Sequence, residues 1–261
     1  MTESKFEVAL STLSGHISQA SQFWFAGATI NEVSKDPKTN AAIQVTAGFW
    51  ICARLALEQQ AIVVVGKIFG QRSSNPTNID SFFEVLRESR LTVFSREALA
   101  ARKRHQMPTI TDSQLADLLK TARVPTEADL KRLYTISKRH RRTYETQFAP
   151  LRNRHIAHSD VMTDADRAAM FQRTHIPDLE KLIMFLNQFR EALRGLYYDG
   201  RRPVMRRMRW SVRSLVAKKI RELNQLPDHE FIVGETRKML FLLTQAASAL
   251  PPGYKRSGNW G

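Results

Sequence analysis

The feature that most constrains this chain is a long apolar run from Asn40 to Phe69, apolar on most faces when wound as a helix. Arg54, Glu58, Gln59, Gln60 and Lys67 interrupt the run, which excludes a membrane span and predicts a central helix covered on all sides. Taken alone, Ile62-Val63-Val64-Val65 would suit a buried strand, but the helical spacing on both flanks favours a helix. Cys52 lies in the apolar stretch Phe49 to Ala53 and reads as a small core residue. As the one cysteine of the chain it leaves no internal disulfide, which fits a reducing cytoplasm.

A helix of that kind needs neighbours, and nearly every other segment also reads as helix. Apolar residues from Phe6 to Val33 fall at helical spacing until Asp36-Pro37 breaks the pattern. Gly70 to Thr77 is a turn cluster, after which Asn78 or Asp80 can cap a short helix bearing Phe82, Phe83, Val85 and Leu86. Further helices are expected from Ser95 to His105, from Gln114 to Ala122, and from Thr126 towards Phe148, where Pro150 interrupts. Pro177 to Tyr198 carries one apolar stripe, and Tyr198-Asp199-Gly200 closes it. The fold class predicted is all-α, a helical bundle over residues 1–200 with a basic helical C-terminal extension over 201–261. The N-terminus, MTESKFEVAL, lacks the basic-then-apolar layout of a signal peptide, so a cytoplasmic protein without membrane insertion is expected.

Charge narrows the partners. Forty Lys and Arg against twenty-five Asp and Glu give a formal charge of +15, a field that attracts polyanions. The positive charge is clustered. Arg102 to Arg104 form one group, and Lys138, Arg139, His140, Arg141 and Arg142 form a second. The third runs from Arg201 to Arg221, includes Arg206, Arg207 and Arg209, and has no acidic residue before Glu222. Val204, Met208, Val212, Leu215 and Leu223 recur through it near helical spacing, as in a basic amphipathic helix suited to an RNA backbone, an anionic membrane or an acidic partner. A further helix is expected from Glu230 to Ala247.

The stretch that carries chemistry is Leu-Arg-Asn-Arg-His-Ile-Ala-His-Ser-Asp, residues 151–160. Pro150 suits the first turn of a helix, which would place Arg152 and Asn153 where free backbone N–H groups favour an anion. The Arg152 guanidinium can fork onto phosphate oxygens, while His155 and His158 titrate near neutral pH. A phosphate binder beside a titratable imidazole meets the needs of metal-free phosphodiester cleavage. Helical geometry leaves the arginine open, because Arg154 and His158 share a face whereas Arg152 is offset. A zinc site from His140, His155 and His158 lacks the carboxylate or cysteine to complete it, and no metal or other cofactor is expected.

This segment resembles the signature of the HEPN superfamily, in which an arginine, a polar residue and a downstream histidine form the active motif. Arg152, Asn153 and His158 match those three places. The flanks ALEQQAIVVVGKIFG and DLEKLIMFLNQFREALRGLYYDGRRP resemble the abortive-infection, AbiU-type branch, and the resemblance spans about Phe6 to Pro203. It implies a bundle that dimerises and joins two motifs over one RNA cleft. It also implies an endoribonuclease of a toxin or phage-defence type, with a possible antitoxin partner. In that scheme His158 handles the 2′-hydroxyl or leaving-group proton, Arg152 steadies the phosphorane-like transition state, and Asn153 positions His158 or the phosphate. Arg154, His155, Lys138, Arg139, Arg141, Arg142, Arg206, Arg207 and Arg209 are the expected RNA contacts. Asp160 stands where some toxin members carry a modifiable tyrosine, which excludes that mode of control here. The alternative reading is a non-catalytic module that binds RNA or nucleotide, or docks an acidic partner.

Overall fold

A computed structural model describes residues 5–70, 78–153, 176–205, 212–217 and 228–249. These residues form helices and no strand, so the chain is all-α as expected. In chain order the helices are α1 (Lys5–Val33), α2 (Pro37–Val45), α3 (Ala47–Phe69), α4 (Ile79–Glu88), α5 (Arg90–Val93) and α6 (Arg96–Gln106). They continue as α7 (Asp112–Thr121), α8 (Glu127–Gln147), α9 (Ala149–Leu151), α10 (Ile176–Asp199), α11 (Val212–Ala217) and α12 (Asp228–Ser248).

Local chemistry sets the boundaries. The Asp36 carboxylate accepts from the Thr39 amide and Pro37 opens α2, because proline needs no N–H partner in a first turn. Asn78 accepts from the Ser81 amide to start α4, and its side-chain amide donates to the Gly70 carbonyl at 2.9 Å. Both α7 and α8 begin with reciprocal capping boxes, Thr111 with Gln114 and Thr126 with Asp129. At the end of α10, Gly200 takes φ +61° while Leu99 and Ala122 crowd the space a side chain would need.

The chain forms two compact units. The first contains residues 1–17 and 62–208. Its core is aromatic: Phe6 meets Phe82, Phe94 and Tyr197 at ring-centroid distances of 5.9, 5.0 and 5.3 Å. Phe83, Phe189, Phe185 and Phe69 then continue as successive neighbours at 5.6, 5.8 and 6.3 Å. The second unit contains residues 18–61 and 209–261. There α12 packs on α2 and α11. Ile30, Ile43, Trp50 and Leu240 form a small core, flanked by Val33, Leu57 and Leu243.

The apolar run departs from expectation in two ways. It is two helices, broken at Thr46, where φ is −130° and ψ 48°. It is also buried on most faces only towards its C-terminal end, from Ala61 to Phe69, while earlier in the run burial is confined to Ala42, Ile43 and Trp50. Phe49 is 66% exposed, Ile51 53% and Leu55 43%, and Cys52 is exposed rather than in the core. The reason is the supply of neighbours. In the second unit Trp50 and Leu57 meet the small cluster around Ile30, Ile43 and Leu240, and a helix with one partner surface buries one stripe. By length and composition α3 could cross a membrane, yet Val64, Val65, Ile68 and Phe69 are core residues of the first unit.

Candidate functional site

The site begins where α8 meets Pro150. Helix α8 ends at Gln147, and the Phe148 amide still donates to the Tyr144 carbonyl at 2.9 Å. One short turn, α9, follows with Pro150 inside its first positions, and Arg152 and Asn153 continue in a wider, π-type turn. The Arg152 amide donates to the Phe148 carbonyl at 2.9 Å. This corrects the expectation of a free helix opening at Arg152. The proline is absorbed without a fresh start, so that amide is occupied and any anion there must be held by side chains.

The half-buried Arg152 side chain lies against α3 at Gly66. A Cβ placed on Gly66 would stand 2.8 Å from the Arg152 Cδ and would also collide with the Tyr144 hydroxyl. Gly70, one turn on, faces the same side chain, with its Cβ position 3.7 Å from an Arg152 terminal nitrogen. Glycines four apart share one face of a helix, so the pair opens a groove that receives the arginine stem. Tyr144 forms the far wall. It is 1% exposed and stacks on Phe69 at 6.0 Å, and Leu151 and Phe148 are buried beside it in the chain.

The electrostatics of the groove follow from burial. The Tyr144 hydroxyl is buried and its polar neighbour is the Arg152 side chain. Burial pushes its pKa up, and the neighbouring Arg152 charge opposes that shift, so the phenol stays protonated at neutral pH. One turn back, the His140 ring lies flat on Phe185 at 3.9 Å. Burial, with help from Arg139, lowers its pKa to about 4, which makes it a neutral core ring. On α1, the His16 imidazole is also held below its usual value by burial and by the charge of Lys67.

The basic clusters are only partly available. Arg102 donates to the Val93 and Tyr197 carbonyls at 2.7 and 3.0 Å and stacks on the Tyr197 ring, so it ties helices together. Arg141 pairs with Asp80 and, at 2.8 Å, with Glu145. Lys138 leans over the Tyr134 ring, 4.8 Å from its centre. Arg139 and Arg142 are exposed on α8, as is Asn153 beyond Arg152. Thus Arg152 is brought together with Tyr144, Gly66 and Gly70, and Asn153 follows it on the surface. Arg154, His155, His158, Arg206, Arg207 and Arg209 lie outside the described residues.

A family model described as AbiU2, of the HEPN group, matches residues 3–222. The chain belongs to the HEPN AbiU2 family. No curated protein and no solved structure matches it. In this AbiU2 chain Arg152 stands at the exit of α8, seated against the apolar helix α3. Three residues that surround Arg152 were missed by reading the motif alone, namely Gly66, Gly70 and Tyr144. The glycines carried a signal, the four-residue spacing in Ile-Val-Val-Val-Gly-Lys-Ile-Phe-Gly, which marks a close approach to one helix face. Tyr144 carried none, since one aromatic on a helix is ordinarily core.

Proposed function

We propose that this AbiU2 protein is a metal-independent endoribonuclease of the abortive-infection type, acting in the cytoplasm as a homodimer. The observation that carries the reading is the seating of Arg152. A guanidinium fixed between two glycines and a buried phenol reaches its ligand with less freedom to lose than a surface arginine, which favours tight positioning on a phosphate. In the reaction, the RNA 2′-hydroxyl loses its proton to a general base and its oxygen bonds to the adjacent phosphorus. The P–O5′ bond breaks, and the leaving oxygen takes a proton. The products are a 2′,3′-cyclic phosphate and a 5′-hydroxyl. His158 exchanges one of these protons, Arg152 stabilises the charge growing on the phosphoryl oxygens, and Asn153 orients His158 or the phosphate. Arg154, His155, Lys138, Arg139, Arg142, Arg206, Arg207 and Arg209 guide the RNA strand, whereas Arg141, expected among them, is engaged by Asp80 and Glu145.

Ile51 and Leu55, one turn apart on α3 and both exposed, support self-association, with Phe49 exposed on another face of the same helix. An acidic antitoxin is the expected inhibitor of so basic a protein. The test is cleavage of RNA in excess EDTA by the purified full-length protein. Wild type should generate cyclic-phosphate ends, and Arg152→Ala and His158→Ala should each lower the rate by about 10²-fold or more. Equal RNA survival with wild type and both variants sinks the catalytic reading. It would leave the non-catalytic one, an RNA-binding module using the exposed Arg139 and Arg142 of α8.

A further inference from the structure

The arginines of the first unit differ in what holds them. Arg141 pairs with the carboxylates of Asp80 and Glu145. Arg102 donates from its terminal nitrogens to two main-chain carbonyls and lies on the Tyr197 ring. Arg152 is held by neither means. Among the described residues no carboxylate pairs with it, and the polar side chain beside it is the Tyr144 phenol.

The phenol stands in a place where its hydroxyl needs a reason. Tyr144 is fully buried, its ring stacks on Phe69, and Phe148 and Leu151 are buried next to it in the chain. Phenylalanine would fill the same apolar space, and a buried hydroxyl is costly unless it finds a partner. Among the described residues the hydroxyl has no partner other than Arg152.

The shape of the groove decides which nitrogen faces that hydroxyl. Over Gly66 three atoms gather at one point: a Cβ there would collide with the Tyr144 hydroxyl and stand 2.8 Å from the Arg152 Cδ and 3.2 Å from Nε. The Nη1 atom lies instead over Gly70, 3.7 Å from the corresponding Cβ position. Nε is therefore on the Tyr144 side of the groove, and the terminal edge of the guanidinium runs on towards Gly70. The floor beneath that edge is fixed. The Gly70 amide donates to the Gly66 carbonyl at 2.8 Å, and the Gly70 carbonyl accepts from the buried Asn78 side chain at 2.9 Å.

A neutral partner does what a carboxylate could not. Burial keeps the phenol protonated, so it orients the guanidinium and leaves the positive charge intact. An aspartate here would orient Arg152 as well, but it would cancel the field that a phosphoryl group must feel.

We propose that Tyr144 is a positioning residue, its hydroxyl oxygen accepting from the Arg152 Nε–H so that the terminal edge of the guanidinium meets the scissile phosphate. The phosphate rests on the ribonuclease reading above, whereas the hydrogen bond needs the groove alone. Tyr144 touches no RNA and acts on the transition state through Arg152.

Tyr144→Phe removes the hydroxyl and keeps the ring. With the full-length protein and a labelled RNA in EDTA, kcat should fall about tenfold or more while KM stays within about twofold, because exposed cations still bind the strand. In an Arg152→Ala background the same change should alter kcat by less than about twofold, since no guanidinium is left to place. The pH profile of kcat should keep its shape, as a phenol that stays protonated exchanges no proton. Circular dichroism should show unchanged helix content, because the ring still packs on Phe69. A further readout needs no catalysis. In protein isotope-labelled at arginine, the Arg152 Nε–H resonance, identified by its absence from Arg152→Lys, should broaden or move in Tyr144→Phe. Wild-type kcat in Tyr144→Phe, an equal loss in the Arg152→Ala background, or an unmoved Nε–H resonance overturns the proposal. RNA left intact by the wild type overturns the ribonuclease reading instead, and the Nε–H resonance then decides whether Tyr144 holds Arg152.

Discussion

Helix α3 contributes to both units, and its two halves have the same apolar character but opposite fates. From Ala61 to Phe69 it is mostly buried beneath the aromatic core and the Arg152 turn. From Ala47 to Gln60 it leaves Phe49, Ile51, Cys52 and Leu55 in solvent. Hydrophobicity measures how much a segment gains from burial, whereas burial itself depends on how many neighbours the fold supplies. The first unit surrounds the helix with Tyr144, Phe185 and Phe189 and their neighbours, and the second offers a cluster of four buried side chains. Exposed apolar surface on a long helix therefore calls for association, while the buried half provides a rigid seat for a functional group.

That contrast can be broken by substitution. The largest effect is expected at Phe189, fully buried among Phe82, Phe83 and Phe185, where Phe189→Ala should lower stability by about 3–5 kcal/mol. Phe49→Ala, the same change on an exposed side chain, should stay within about 0.5 kcal/mol by urea denaturation at low protein concentration. Similar losses at both positions would erase the distinction between the units.

Next in size is Gly66→Ala. The added methyl meets Arg152 and Tyr144, so both must shift, at a stability cost of about 1–3 kcal/mol. If RNA cleavage depends on the seat, its rate should fall by more than tenfold while the protein remains folded, since a small displacement of a positioned group costs about 10²-fold. A Gly66→Ala protein with wild-type cleavage would separate the groove from catalysis.

A smaller, pH-dependent effect is expected from His140. Its folded pKa of about 4 lies below the ordinary 6.5, so the unfolded chain takes up the proton first as the pH falls. The contribution to stability is therefore complete above pH 6.5, declines between 6.5 and about 4, and is constant below. Allowing for partial exposure, the loss should be on the order of 1–2 kcal/mol. Urea midpoints of wild type and His140→Phe should accordingly converge or cross in acid, with the variant less sensitive over that window. The smallest of the set is Thr126→Ala at the start of α8, which removes one arm of a capping box and should cost about 1 kcal/mol. Its loss should appear in thermal unfolding without altering RNA cleavage, because the cap lies at the opposite end of α8 from Arg152.

Much of the fold was legible in the sequence because its signals are local. Apolar residues at helical spacing, Asp36-Pro37, Asn78, the Thr111 and Thr126 boxes and the closing Gly200 each act within a few residues of themselves. The motif likewise pointed to Arg152, although helix spacing alone left Arg154 beside it. The break at Thr46 escaped because Gly48, two residues on, is a weak signal inside an otherwise apolar run. Pro150 misled in the other direction, since the chain absorbed it with one short turn and kept the Arg152 amide engaged.

By itself, then, the sequence determined that the chain is helical and strongly basic, and it pointed to Arg152, Asn153 and His158 through a resemblance. Tertiary structure alone decided that α3 is buried along one half, that Arg141 and Arg102 bind the protein itself, and that Arg152 rests between Gly66, Gly70 and Tyr144. The division has a physical cause. Helix formation and capping are contests among neighbours in the chain, which a sequence records directly. Burial, ion pairing and the seating of a side chain depend on which distant helices arrive beside it, and that is settled only when the chain has packed.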